Sequence, residues 1–243
     1  MDRIGRTKSS DALTLYVINL ENRPDRWQSV LEQSRILGFE PRRIAASDSV
    51  AECHHNSLLS PAASACWESH LIALQKFIDS EAESCLIAED DFLVINLQRF
   101  KKQLAALNCS NWDYVQLGFL STGLRDRIQR YMTNFEFALI KLITSSSIIW
   151  PKKRRWLEGK LRVRRSIGVP LAYVPDDIRA GAHFYYINRS MALKLIGCNM
   201  PPFVTADGFF MSLAWIKRFR MMRVRRTAII QSNSPSSIKV QHE

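Results

Sequence analysis

LIAEDDF, Leu86–Phe92, is a short apolar run that ends in three consecutive carboxylates, Glu89, Asp90 and Asp91. Adjacent like charges are costly to bury, because each disfavours ionisation of the next. Together with Ser84 and Cys85 the run predicts a buried strand, and the carboxylates then stand at its carboxyl end. In open α/β sheets that end is where ligands bind. Successive residues leaving a strand point to opposite sides. Glu89 and Asp91 are therefore expected on one side and Asp90 on the other. Two carboxylates spaced in this way can hold a hard divalent cation, which offsets their repulsion and binds phosphate oxygens. Taken alone, the triplet is equally compatible with a solvated acidic turn or a helix N-terminus, where carboxylates meet a favourable dipole.

The flanking sequence supplies the rest of an α/β pattern. LTLYVINL (Leu13–Leu20) is almost continuously apolar and rich in β-formers, the mark of a buried strand in a parallel sheet. ENRPDRW follows, with Pro24 and Asp25 as helix-start residues and Gly38 as the stop after Leu37. ASACWESHLIALQKFIDS predicts the clearest helix, with Trp67, Leu71, Leu74 and Ile78 as its apolar stripe and Cys66, His70 and Phe77 at the stripe's edge. WDYVQLG (Trp112–Gly118) predicts a third strand. GAHFYYINRSMALKLIG (Gly181–Gly197) predicts a strand and then a helix, with Ser190 as its N-cap. Asp207 opens another helical stretch, on which Trp215, Phe219 and Met222 would share a face. Alternating strands and helices predict an α/β fold with a mostly parallel central sheet. The expected organisation is a polar segment over 1–12, a single domain over 13–230 and a mobile tail over 231–243. Residues 120–180 would form an irregular or inserted lobe.

Bulk properties narrow the class. The chain has 243 residues, 47% hydrophobic and 23% charged, which suits one substantial globular domain rather than a disordered chain. Met1–Asp11 has no apolar central segment, so no secretory signal is expected. The most apolar region, Tyr131–Trp150, is interrupted by Glu136 and Lys141, and crossing a bilayer takes about 20 apolar residues. The cysteines, at 53, 66, 85, 109 and 198, are irregularly spaced. They predict reduced thiols and a cytoplasmic protein. Cys53, His54, His55, Cys66 and His70 are zinc-type ligands, but their spacing matches no familiar structural zinc site. The net charge of +11 is concentrated in KKRRWLEGKLRVRR (Lys152–Arg165) and KRFRMMRVRR (Lys217–Arg226). Such clusters suit nucleic acid, an anionic membrane surface or an acidic substrate.

Four separated stretches then fit one pattern. YVINLENRPDRW (Tyr16–Trp27), ACWESHLIAL (Ala65–Leu74), LIAEDDF and GAHFYYINRSMALKL (Gly181–Leu195) occur in the order found in glycosyltransferase family 25, which the chain resembles. That is the lipooligosaccharide and lipopolysaccharide β-galactosyltransferase family, to which collagen galactosyltransferases are related. WDYVQLG and TADGFF fit weaker motifs, and the match is poor between Ser121 and Arg179. The resemblance implies a GT-A-like nucleotide-sugar-binding fold, a UDP-sugar donor (UDP-galactose first, UDP-glucose next) and a Mn²⁺ or Mg²⁺ ion. It also implies inversion at the anomeric carbon and a lipid-linked oligosaccharide acceptor at the cytoplasmic face of the inner membrane.

Residue roles follow from that frame. Glu89 and Asp91 are the metal and diphosphate candidates, with Asp90 on the donor ribose or sugar. Asn19, Arg23 and Arg26 follow the first strand, where a guanidinium fork suits a diphosphate; a local Arg23–Asp25–Arg26 ion-pair cluster is the plainer alternative. His70 and His183 are donor-side candidates, each equally readable as a hydrogen-bonded structural histidine. Asp207, before a glycine, is the candidate base that would take the acceptor proton, with Asp176 and Asp177 as rivals. The basic clusters, with Trp156, Trp215 and Phe219, would hold the protein to the anionic inner face of the membrane. The competing functions are a basic nucleic-acid-binding protein, a metal-dependent phosphodiester hydrolase and a sugar-nucleotide binder without turnover. No helix-turn-helix, zinc-finger or RNA-recognition signature is present, and no nucleic-acid partner is expected.

Overall fold

The computed structural model describes residues 13–47, 60–108, 111–119, 173–175, 178–179, 181–197, 205–216 and 219–232. The expected 1–12 segment, most of the 120–180 lobe and residues 233–243 lie outside these, as do Cys53, His54, His55, Trp156, Asp176, Asp177 and the Lys152–Arg165 cluster.

Within the described residues the order is β1 (Thr14–Asn19), α1 (Pro24–Leu37), β2 (Pro41–Ala45), α2 (Pro61–Asp79), β3 (Ser84–Glu89), β4 (Phe92–Val94) and α3 (Leu97–Asn108). After these come β5 (Tyr114–Gly118), β6 (Tyr173–Pro175), β7 (Phe184–Asn188), α4 (Arg189–Gly197), α5 (Ala206–Ile216), β8 (Met221–Val224) and β9 (Ile229–Gln231). The strands form one nine-stranded sheet in the order β2-β1-β3-β7-β5-β8-β6, with β9 against the end of β5 and β4 paired to β9.

The sheet is mixed, where a mostly parallel one was expected. β1 runs parallel to β2 and β3, and β5 parallel to β8. β7 enters between β3 and β5 antiparallel to both, and the β4–β9 and β6–β8 pairs are also antiparallel. A fully buried strand is apolar in either direction, so its composition does not report its polarity.

Alternation along the strands builds two cores. Tyr16 and Ile18 of β1 and Cys85 and Ile87 of β3 face a layer made by α2, α4 and α5, with Trp67, Phe77, Met191 and Phe210. Leu15, Val17, Leu86 and Ala88 face the opposite layer, with Val30 of α1 and Phe100 of α3. A fully buried side chain of this size contributes roughly 1.5–3 kcal/mol, so both faces of β1 and β3 strongly specify their register.

Three local expectations change. On α2 the buried residues include Trp67, His70, Ala73, Leu74 and Phe77, while Leu71 and Ile78 are only partly buried. The stripe is rotated by about one residue, and His70 sits inside it. Helix α4 is capped by Asn188, whose Oδ1 accepts from Met191 N at 2.9 Å, rather than by Ser190. The stretch opened by Asp207 does not run on to Met222: α5 ends at Ile216, and Met222 is a strand residue paired with Val115. Asp207 itself is not the cap, since Thr205 Oγ1 accepts from Gly208 N at 3.2 Å.

Candidate functional site

β1 and β3 lie side by side and parallel, with Ile18 opposite Glu89, so their carboxyl ends open on the same edge. Asn19 ends β1 and Glu89 ends β3. β7 runs the other way, so its first residues arrive at that edge as well: Glu89 N donates to the carbonyl of His183 at 3.0 Å. Three segments distant in sequence thus converge where the acidic triplet begins.

Each carboxylate of the triplet meets a different partner, because strand alternation stops at Glu89. Asp90 is 8% exposed and turns back towards β1. Its Oδ2 accepts from Asn19 Nδ2 at 2.7 Å and its Oδ1 from Arg26 Nη1 at 2.8 Å. Asp90 therefore ties the end of β3 to the end of β1 and to the first turn of α1. Arg26 is itself only 11% exposed, so this is a desolvated, charge-assisted pair. Sequence reasoning placed Asn19, Arg26 and Asp90 at one site, and the structure joins them directly to one another.

Asp91 faces β9. Its Oδ2 accepts from Gln231 Nε2 at 2.7 Å, while its Oδ1 is buried with no hydrogen-bond partner. Burial, with the Glu89 charge nearby, raises its pKa above the usual carboxylate range. His183 is 2% exposed, and its Nε2 is likewise buried without a partner. Its ring lies close enough to Glu89 and Asp91 to interact electrostatically with both. Gly118 of β5 makes room for this histidine: a Cβ there would lie 2.9 Å from Phe184 Cβ and 3.3 Å from His183 Cδ2.

Glu89 points towards α2, continuing the side taken by Cys85 and Ile87. Its Oε1 lies 3.4 Å from Nε2 of the fully buried His70, whose Nδ1 is 3.0 Å from the hydroxyl of Tyr185. Cys66, one helical turn before His70, completes a group whose ligand-type atoms all lie within 4.8 Å of one another. Burial pushes the His70 pKa down, but its bonds to Cys66 and Glu89 outweigh that and raise it to about 10. Burial opposes ionisation of Glu89 too, yet the His70 bond leaves its pKa below the usual value.

The remaining candidates stand apart from this cluster. Arg23 makes a bidentate pair with Asp25, Nε to Oδ1 at 2.9 Å and Nη2 to Oδ2 at 2.7 Å, on the exposed loop after β1. The Arg23 hydrogen bond holds the Asp25 pKa down at about 2. Asp207 Oδ1 accepts from Ala182 N at 2.6 Å and so pins the turn that presents His183, in which Gly181 has φ 96°. Tyr185 and Gln231 were missed by sequence reasoning. Tyr185 is a plain strand residue, and Gln231 falls in a stretch of tail-like composition.

Chemically, the edge offers carboxylate oxygens, three buried atoms without hydrogen-bond partners (Asn19 Oδ1, Asp91 Oδ1 and His183 Nε2) and nearby guanidinium groups, a set suited to a polar, anionic ligand with a cation. No curated protein matches the chain. Among solved structures, A197 from STIV is similar at 14% identity over 95% of this chain and 100% of that one, with a TM-score of 0.41. The family model for glycosyltransferase family 25 (LPS biosynthesis protein) matches residues 12–210, a span that takes in β1, α2, the acidic triplet, β7 and Asp207. This chain belongs to glycosyltransferase family 25.

Proposed function

We propose that this glycosyltransferase moves a hexose, galactose, from UDP-galactose to a lipopolysaccharide oligosaccharide acceptor, inverting the anomeric carbon to give a β-linkage. The observation that carries the donor site is the pair of buried atoms without partners, Asp91 Oδ1 and His183 Nε2, beside Glu89 at the shared edge of β1, β3 and β7. Buried polar atoms are nearly always satisfied, and with Asn19 Oδ1 at the end of β1 three such atoms gather at this one strand edge, where a ligand would complete them. A hard divalent ion, Mn²⁺ or Mg²⁺, would be held here by Glu89 and Asp91 as its carboxylate ligands, whose charges act on each other across the end of β3. When bound, the ion would supply positive charge for the departing diphosphate.

The chain's own residues do the rest of the work. Asp90 with Asn19 and Arg26 holds the β1 and β3 edges at a fixed separation, a rigid floor for the donor. Arg23 would meet the diphosphate by exchanging its Asp25 partner for it, a swap between two anions on an exposed loop. Asp207 is the proposed base. One of its oxygens is held by Ala182 N, which aims the carboxylate, and the acceptor hydroxyl would give up its proton to it during attack from the face opposite UDP. The acceptor is lipid-linked, and of the basic stretch Lys217–Arg226 the exposed Arg220 and Arg226, but not Arg223, which is buried in β8, would help keep the enzyme at the anionic inner face of the membrane.

Titration calorimetry of UDP with and without Mn²⁺, on wild type and on Asp91→Ala, tests the donor site. The expected result is Mn²⁺-dependent UDP binding that the variant loses. Absence of UDP binding with any divalent metal would overturn the reading. Comparing UDP-galactose with UDP-glucose as donors then tests the sugar, because one epimeric hydroxyl is discriminated by a hydrogen bond that only one of them makes.

A further inference from the structure

Cys66 and His70 stand one turn apart on α2, so their side chains share a face. That face is turned to the end of β3, where Glu89 leaves the sheet on the same side as Cys85 and Ile87. A thiol, an imidazole and a carboxylate converge there with all ligand-type atoms within 4.8 Å. The surroundings are dry on the protein side, with His70 fully buried and the ring of Trp67 6.1 Å from that of His70. Glu89 remains 29% exposed, which leaves one side open.

From this convergence we propose that Cys66, His70 and Glu89 form a binding site for a thiophilic divalent ion of the zinc class, with three protein ligands and one open position. Zinc takes sulfur at about 2.3 Å and nitrogen or oxygen at about 2.0–2.2 Å, which sets its ligand atoms roughly 3–4 Å apart. The His70 Nε2 to Glu89 Oε1 separation of 3.4 Å already meets that spacing. Tyr185 supplies the outer support: its hydroxyl lies 3.0 Å from His70 Nδ1 and can accept the Nδ1 proton, leaving Nε2 free to ligate. The thiolate separates this site from the one proposed for the donor. Mn²⁺ and Mg²⁺ favour all-oxygen ligand sets, whereas a sulfur, nitrogen and oxygen set favours Zn²⁺ or Co²⁺.

The two sites share Glu89, but the zinc-class site does not depend on the transferase reading. Zinc held by Glu89 would draw that carboxylate towards α2 and away from Asp91. Excess Zn²⁺ is therefore expected to weaken Mn²⁺-dependent UDP binding several-fold.

Co²⁺ titration of the metal-stripped full chain, followed by absorption, tests the proposal without any activity measurement. The expected result is one tightly bound Co²⁺ per chain with a thiolate-to-cobalt charge-transfer band and tetrahedral-type visible bands. Zn²⁺ should displace it, and a ten-fold excess of Mn²⁺ should not. Cys66→Ser should abolish the charge-transfer band, and His70→Gln should weaken Co²⁺ binding at least ten-fold. Asp91→Asn should keep the band while losing Mn²⁺-dependent UDP binding, which tells failure of the donor-site reading from failure of this one. A wild-type protein with no charge-transfer band overturns the site and leaves the three groups as a hydrogen-bonded network. A band that survives in folded Cys66→Ser also overturns it, by placing the ion on another cysteine.

Discussion

At the scale of single residues, the acidic triplet solves its electrostatic problem by dividing it. Asp90 is neutralised by Arg26 and hydrogen-bonded by Asn19, Glu89 is paired with His70, and Asp91 keeps an unpartnered oxygen. Removing one member of a buried ion pair leaves the other charge stranded, at a cost of roughly 3–5 kcal/mol. Asp90→Asn is thus expected to destabilise the protein by about 3 kcal/mol in a urea unfolding series, and a loss below about 1 kcal/mol would show that the clamp is not structural. The His70–Glu89 pair makes stability depend on pH in the metal-stripped protein. His70 has its pKa raised from 6.5 to about 10, so its contribution is complete below pH 6.5 and is lost as pH climbs towards 10. Glu89 has its pKa lowered from 4.5, so its contribution is complete above pH 4.5 and is lost as pH falls through the lowered value. Unfolding midpoints of chelated wild type should therefore fall between pH 6.5 and 10, and those of His70→Gln should fall less. Parallel curves for the two proteins would count against a charged His70.

Among the elements, two glycines separate backbone demands from packing demands. Gly38 ends α1 at φ 80°, and a Cβ added there would have nothing within 4 Å, so Gly38→Ala meets only the left-handed backbone penalty. It should cost about 1 kcal/mol and leave UDP affinity unchanged. Gly118 of β5 packs tightly against the start of β7, with Phe184 Cβ at 2.9 Å and His183 Cδ2 at 3.3 Å from an added Cβ. Gly118→Ala should cost about 1–3 kcal/mol by overpacking and should also weaken UDP binding, because the strand it displaces carries His183. Thermal melts paired with UDP calorimetry on the two variants check this, and equal effects on binding would sever His183 from the donor site. The elements nearest the site were legible because their patterns are local: an apolar run before charges for β3, and Pro24 and Gly38 bracketing α1. The end of α5 and the onset of β8 were not, since Met221, Met222 and Val224 suit a helix face as well as a strand.

For the whole molecule, the formal charge of +11 and its clustering predict binding to anionic vesicles that falls steeply with salt. Each Lys or Arg near such a surface contributes about 1 kcal/mol at low ionic strength, and about 0.5 M salt shortens the screening length to well under 10 Å. Co-sedimentation with anionic vesicles should therefore drop sharply at about 0.5 M salt; retention would rule out an electrostatic attachment. No helix among the described residues is long and apolar enough to cross a membrane.

The α/β class, β1, β3, β5 and β7, and the strand-end positions of Asn19, Glu89 and Asp90 followed from sequence by itself, while the arrival of His183 at the same edge depends on β7 running antiparallel. Hydrophobic runs specify buried strands, and a strand's end is a fixed address for the charges beyond it. Which charge meets which partner was decided by the tertiary structure. Strand alternation predicts sides only while the strand lasts, and the triplet leaves it after Glu89. The antiparallel entry of β7, the Gln231 bond to Asp91 across 140 positions and the meeting of Cys66 and His70 with Glu89 all arise from packing distant segments against one another. Pairings across such separations leave no periodic trace in the chain, because periodicity records one element's exposure and not the identity of its neighbour.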